Sequence, residues 1–248
     1  MSQFVADFEA YIPAEFNEET YGKAGVLATM DEAGIDASVV FIGGVSIDPR
    51  EENAELLREV KGESRILPGA LINPTMGELA TDDLKRCVDH GARTVKLMAA
   101  GHRYHLDSAC VDPVMELANS LRIPATIHSG SPMSGCAPEF IGSLAARHPN
   151  VTIIMDHMGY REWIGGAVQA AVENPQIYLG TTLIAAAEPI SVKGVARGGQ
   201  VGADRIVFGS NAPSGVAVHG VNGIRSIGFT DEEETLILGE NFKRIYGL

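Results

Sequence analysis

The sequence predicts an α/β chain folded as a single (β/α)8 TIM barrel, with residues 1–248 forming one domain. Three observations predict it. Short apolar, β-branched runs alternate eight times with amphipathic stretches, the pattern of parallel strands covered by helices on both faces. Eight alternations close a barrel more naturally than they extend a doubly wound open sheet, and 248 residues is a common length for such a barrel. Three of the runs end in polar groups: Ile127-His128-Ser129-Gly130, Met155-Asp156-His157-Met158-Gly159 and Phe208-Gly209-Ser210-Asn211. Residues just past the strand ends are where a barrel keeps its chemistry.

The first run, Gln3–Ala10, leads into a helix expected near 21–34, and Ala37–Ile42 into one near 51–61. Ile66–Ile72 precedes a helix near 77–90, and Ala92–Leu97 one near 112–121. Pro124–His128 and Val151–Met155 lead to helices near 137–148 and 161–173. Gln176–Leu179 and Arg205–Phe208 complete the set, with helices near 188–199 and 231–246. Gly34, Gly62 and Gly91 stand where a helix C-cap needs a left-handed residue. Pro68, Pro124 and Pro149 mark strand entrances or nearby turns, where a missing amide donor does least harm. Thr230 is placed to cap the last helix. Gly43-Gly44 and Gly198-Gly199 lack phosphate-loop spacing and read as turns.

Composition excludes some partners. Hydrophobic residues make up 45% of the chain, enough to bury a sizeable core. A formal net charge of −13 argues against nucleic acid or an anionic membrane, both of which need clustered Lys and Arg. A small-molecule substrate remains. Cys87, Cys110 and Cys136 are scattered, with no CxxC pair, and nothing at the N-terminus resembles a signal peptide. A cytoplasmic location is the expectation. No apolar stretch approaches the roughly 20 residues needed to cross a bilayer.

The strand-end residues, in order, are Glu9 and Tyr11, Asn73, Lys96, His128, His157, Thr181 with Thr182, and Asn211. A Zn²⁺ or Mn²⁺ ion takes imidazole nitrogen and carboxylate oxygen and keeps a position open for water or substrate. Glu9, His128 and His157 could supply three such ligands if Glu9 points inward; Asn211 offers only a neutral amide oxygen. Other readings stand beside this one. The two histidines could be satisfied by backbone or water, and Glu9 could be a buried acid paired with Lys96. Lys96 could instead hold a substrate carboxylate. Arg103, in the loop after Lys96, could do the same through its planar guanidinium, and Tyr11 could orient a polar substrate atom. His102 and His105 read as loop residues. Cys136 has no assigned base and reads as a small buried side chain.

Seven segments, in order along nearly the whole chain, resemble the amidohydrolase superfamily. They are Asp31-Glu32-Ala33-Gly34-Ile35-Asp36, Leu71-Ile72-Asn73-Pro74, Val95-Lys96-Leu97, residues 123–130 around His128, Asp156-His157-Met158-Gly159, residues 202–210, and Ile237-Leu238-Gly239-Glu240-Asn241. The branch they resemble is the amidohydrolase-related one that holds aminocarboxymuconate-semialdehyde decarboxylase and the resorcylate-type decarboxylases. The family opens with Asp-x-His-x-His on its first strand, where this chain has Asp7-Phe8-Glu9-Ala10-Tyr11. Asn211 matches the strand-eight Asp that binds metal and takes a proton from water in hydrolytic members, a proton an amide cannot accept. Exchanging His for Glu9 and Asp for Asn211 leaves the formal charge of the site unchanged.

The resemblance implies an enzyme, a hydrolase or carboxy-lyase, acting on a small carboxylated or cyclic metabolite. In this reading a metal held by Glu9, His128 and His157 serves as Lewis acid. His157, Glu9 and Asn211 are then the catalytic positions, and Lys96, Arg103 and Tyr11 bind substrate. Asn211 weakens hydrolysis and brings non-oxidative decarboxylation forward. Metal-free members of the wider family are known. The alternative is therefore an altered barrel that opens a lactone or isomerises its substrate by acid–base chemistry, or only binds a small molecule. Barrels of this family often pair as homodimers.

Overall fold

A computed structural model of the protein describes residues 3–130 and 134–248. Eight parallel strands follow one another around the sheet: β1 Ala6–Ile12, β2 Ala37–Ile42, β3 Ile66–Ile72, β4 Thr94–Leu97, β5 Ala125–Ile127, β6 Ile153–Met155, β7 Ile177–Gly180 and β8 Ile206–Val207. The β8 end returns to β1 through backbone hydrogen bonds. Phe8 N donates to Phe208 O at 2.9 Å, Tyr11 N to Ala212 O at 2.7 Å, and Asn211 N to Glu9 O at 2.9 Å. The chain is a (β/α)8 barrel.

Helices α1 Gly22–Ala33, α2 Arg50–Glu59, α3 Glu78–Asp89, α4 Asp112–Leu121, α5 Pro138–Arg147, α6 Tyr160–Glu173 and α7 Pro189–Arg197 follow the first seven strands. After β8 comes α8 Ala217–Ser226, a helix not expected from the sequence pattern. Its Gly220 and Gly223 depress helix propensity, but both are buried where a side chain would collide with Phe208 and the Ala185 carbonyl. Close packing therefore overrides local preference. The C-terminal segment combines Asp231–Thr235, a π-helical stretch Leu236–Glu240 and Asn241–Tyr246. Thr230 caps it in a reciprocal capping box with Glu233. Pro68 stands inside β3 rather than at its entrance; pairing with β2 ends at Val40 opposite Pro68, so no further rung is broken. Among the described residues, no helix is long and apolar enough to cross a membrane.

Two hydrophobic layers result. One lies between the sheet and the helices. The other fills the barrel with Ala6, Phe8, Val39, Phe41, Leu67, Ile154 and Val207, closed by Phe242 and Tyr246. Along β1 the register against β2 slips between Asp7 and Ala10, a bulge that adds one residue to β1. The bulge lets Glu9 follow Phe8 into the barrel, because it cancels the alternation of faces. That one residue positions the site.

Asp7 lies on the other side of the bulge and ties β1 to the β8 end. Its Oδ1 accepts Glu9 N and Ser210 N, each at 2.9 Å, and its Oδ2 accepts the Ser210 hydroxyl. Burial pushes this carboxyl up to about 7, against the opposing pull of those hydrogen bonds. Because the native state then binds a proton that the unfolded chain releases near the ordinary carboxylate value of about 4, stability falls as pH rises from there to about 7. Asp7→Asn removes that loss and keeps an acceptor for both amides. Its melting temperature relative to the parent should therefore be higher at pH 8 than at pH 5. Equal differences at the two pH values would refute this account.

Candidate active site

Four strand ends bring their polar groups to one place. Glu9 from β1, Lys96 from β4 and Asp156 after β6 are fully buried. His128 after β5 and His157 after Asp156 keep 19% and 10% of their side chains exposed. The Lys96 ammonium forms an ion pair with Glu9 Oε1 and stands 3.2 Å from Asp156 Oδ2. It also lies 5.2 Å from the centre of the Tyr11 ring and 5.1 Å from that of Phe41. Glu9 accepts two further hydrogen bonds, from the Tyr11 hydroxyl at 2.6 Å and from Thr182 Oγ1 at 2.8 Å. Burial alone would lower the lysine amine. The negative charge of Glu9, with Tyr11 and Asp156 beside it, overcomes this and holds it well above the usual lysine range. Lys96 is thus a resident cation.

Asp156 is the centre of a second set. Its Oδ1 accepts Ser129 N at 2.6 Å, and its Oδ2 lies 3.3 Å from His128 Nδ1. Burial would raise this carboxyl, but His157, His128 and Lys96 hold it far below the carboxylate range. On His128 burial acts downward and is outweighed by Asp156, so the imidazole is raised above the ordinary histidine value. His157 is fixed differently. Its Nδ1 faces the Thr182 carbonyl at 3.1 Å, which accepts only, so Nδ1 carries the hydrogen. In the neutral ring that leaves Nε2 with a lone pair. The rings of His128 and His157 stand at 87° with centres 5.1 Å apart.

The loops behind these imidazoles are constrained. His157, Met158, Gly159 and Tyr160 all have positive φ, a run in which the three non-glycine residues carry strain. The Ser129 hydroxyl donates to the Asp156 carbonyl and accepts Gly159 N at 3.1 Å, joining the two histidine-bearing loops. Gly130, also at positive φ, lies where a Cβ would come within 2.3 Å of the Tyr160 side chain. Only glycine allows this approach.

The remaining candidates fall outside the cluster. Arg103 is exposed, in a left-handed conformation that ends a short helical turn. His102 faces the Ser46 carbonyl at 2.9 Å, and His105 is exposed with its ring edge-on to Phe140. Asn73 caps a 3-10 turn. Cys136 is buried. Asn211 sits at φ 65, a conformation Asn tolerates better than most residues. With Tyr11 it lines a cavity of about 380 Å³ on the strand-end face. The other walls are Pro13, Phe16, Val45, Met98 and Pro213, with Glu15, Ser214, Gly43 and Gly44. Phe16 and Glu15 arrive on a small hairpin, Glu15–Phe16 with Glu19–Thr20, which the sequence did not announce. Among the described lining residues there is no cation. The loop residues 131–133 lie outside the described part.

A (β/α)8 barrel with imidazoles and carboxylates converging on its strand ends defines the metabolic-enzyme class of barrels. The profile of the Amidohydrolase family matches residues 24–248, and the chain belongs to that family. No curated protein matches it in sequence. Solved structures share its fold. A dihydroxybenzoic acid decarboxylase from a Polaromonas species, with bound manganese and the inhibitor 2-nitroresorcinol, is 18% identical, covers 100% of this chain and 98% of its own, and has a TM-score of 0.81. A 2,6-dihydroxybenzoate decarboxylase from Rhizobium is 16% identical over 99% of both chains, with a TM-score of 0.79. A 5-carboxyvanillate decarboxylase from Sphingomonas paucimobilis is 13% identical over 100% of both chains, with a TM-score of 0.77.

Manganese in such a relative raises the question of a metal here. One ligand atom from each of His128, Asp156 and His157 lies within 4.8 Å of the others, and the donor types suit Zn²⁺ or Mn²⁺. The sequence expectation drew the carboxylate from Glu9, but the group that converges takes it from Asp156. The surrounding charge does not fit a divalent ion. Glu9 and Asp156 are both engaged by the buried Lys96 ammonium, which already occupies the space between the two carboxylates. The Lys96 ammonium, 3.2 Å from Asp156 Oδ2, would oppose a second cation on that carboxylate.

Proposed function

We propose that the chain is an enzyme that hydrolyses a small, uncharged cyclic ester or amide by general acid–base catalysis. The observation that carries this reading is the division of labour between two facing imidazoles. His128, backed by Asp156, is poised as a proton donor. His157, with Nδ1 committed to the Thr182 carbonyl, has Nε2 left, 3.8 Å from Asp156 Oδ1, as the atom that takes a proton when the ring is neutral. A ring held against a carboxylate and a ring held against a carbonyl offer different faces to a substrate, which divides the acid role from the base role.

In the reaction, His157 Nε2 takes a proton from water as its oxygen bonds to the ring carbonyl carbon. The bond from that carbon to the ring heteroatom breaks, and the heteroatom receives the His128 proton. One water is consumed, and the protons return to His128 through solvent. Tyr11 and Asn211 line the cavity, which neither histidine does, and in this reading they orient the ring as it reaches the imidazoles. Lys96 holds Glu9 and Asp156 in place.

A substrate carboxylate is the feature the solved relatives' names share, and it suits this cavity less well. Lys96 is sealed and doubly paired, and Arg103 does not line the cavity. The roles expected of these two residues in binding an anionic group therefore have no support. The volume, about 380 Å³, accommodates a one- or two-ring molecule.

The test follows proton release from neutral lactones and cyclic imides, and disappearance of the ring compound by chromatography for lactams, alongside CO2 release from hydroxybenzoates. Ring opening by the parent protein, lost in His128→Ala and His157→Ala, is the expected result. CO2 release from a hydroxybenzoate, with no ring opening, would overturn the proposal.

A further inference from the structure

We infer that the Lys96 ammonium stands in for the divalent cation of this strand-end site, so that the protein excludes Zn²⁺ and Mn²⁺ by its own charge. The geometry is that of an occupied cation site. One buried nitrogen pairs with Glu9 Oε1 and lies 3.2 Å from Asp156 Oδ2, two carboxylates delivered from opposite parts of the barrel. Thr182 and Tyr11 fill the rest of the Glu9 carboxylate, and Ser129 N with His128 fills that of Asp156. Every carboxylate oxygen facing the centre therefore has a donor. The two substituted positions agree with this. Tyr11 donates a hydrogen bond to the Glu9–Lys96 pair, where a metal ligand would need a lone pair directed at the ion. Asn211 brings no charge. A fixed ammonium supplies positive charge without an open coordination position, which suits a reaction run by imidazole proton transfer.

The inference shares its site with the proposed reaction. Its test reads metal binding rather than turnover, so either can fail alone. Purified parent protein and the Lys96→Met and Lys96→Met/Glu9→Gln variants are titrated with Mn²⁺ and Zn²⁺ by isothermal calorimetry. Metal content is measured by mass spectrometry after purification in zinc-supplemented medium.

The parent should retain no stoichiometric metal. The double variant removes one positive and one negative charge, leaves His128, Asp156 and His157 in place, and should bind at least about a hundredfold more tightly. Adding His128→Ala to the double variant should abolish the gain, which places the ion on that group. Parent protein holding one metal per chain, or a folded double variant with no tighter binding, would overturn the inference. Folding of each variant is read from circular dichroism.

Discussion

Lys96→Met should lower the melting temperature by roughly 10 °C. Removing one partner from a buried ion pair costs about 3–5 kcal/mol, and in a chain of this size each kcal/mol moves the midpoint by about 2–4 °C. The cost arises because Glu9 and Asp156 remain fully buried after their shared cation is gone. Asp156 keeps His128 and the Ser129 amide, and Glu9 keeps Tyr11 and Thr182, so the loss is partial rather than total. Adding Glu9→Gln removes the stranded charge nearest the vacated space and should restore at least half of the lost stability. Such recovery is the signature of coupled neighbours, whose effects do not add. Thermal unfolding of the parent, both single variants and the double variant closes the cycle. Strict additivity would show that Lys96 and Glu9 do not act as a unit.

This network explains which parts of the site the sequence reveals. The strand ends at His128 and His157 are legible because each follows a β-branched run and precedes a turn signal. Lys96 is legible as a polar residue closing an apolar strand. Its partner choice is not, because Glu9 reaches the barrel interior only through the bulge between Asp7 and Ala10. A bulge leaves no mark in the alternation of so short and apolar a strand. Asp156 was visible inside Asp156-His157-Met158-Gly159, yet the neighbouring His157 drew the functional reading. Continuing the period of β6 from Ile154 by two residues would have placed Asp156 inward, since Ile154 belongs to the barrel interior.

Other features depend on contacts that spacing cannot supply. Ser129 matters because its hydroxyl meets the chain again thirty residues later, at Gly159. α8 was missed because Gly220 and Gly223 speak against a helix until the packing on Phe208 and Ala185 is known. The hairpin carrying Phe16 turns at Asn17 and Glu18, both at positive φ; Asn suits that conformation, but Glu gives no such signal. Eight alternations fix a barrel and its functional face. Which groups meet on that face is decided by one extra residue in β1 and by glycines at close approaches.

Asp156→Asn should cut turnover at pH 7.5 by about 10²- to 10⁴-fold, the range for losing an oriented general acid. The side-chain shape survives and the Ser129 amide still finds an acceptor, so the loss reflects charge. In the parent, Asp156 outweighs burial and keeps His128 protonated above the ordinary histidine value of about 6.5. Activity that uses His128 as a donor should therefore fall on an alkaline limb lying above that value. In Asp156→Asn, burial and the nearby Lys96 charge are opposed only by Glu9, so the limb should move to lower pH than in the parent. Stability follows the same sign. A raised histidine contributes stability fully present below about pH 6.5 and lost as pH rises through its folded-state value. The lowered Asp156 contributes stability above the ordinary carboxylate value, lost only as pH falls toward its depressed folded-state value. The His128–Asp156 part of these two shifts is one interaction and counts once. The parent should thus lose stability to Asp156→Asn more strongly at pH 6 than at pH 9. A variant whose alkaline limb and whose stability gap both ignore pH would remove Asp156 from the proton-donating pair and leave His128 acting alone.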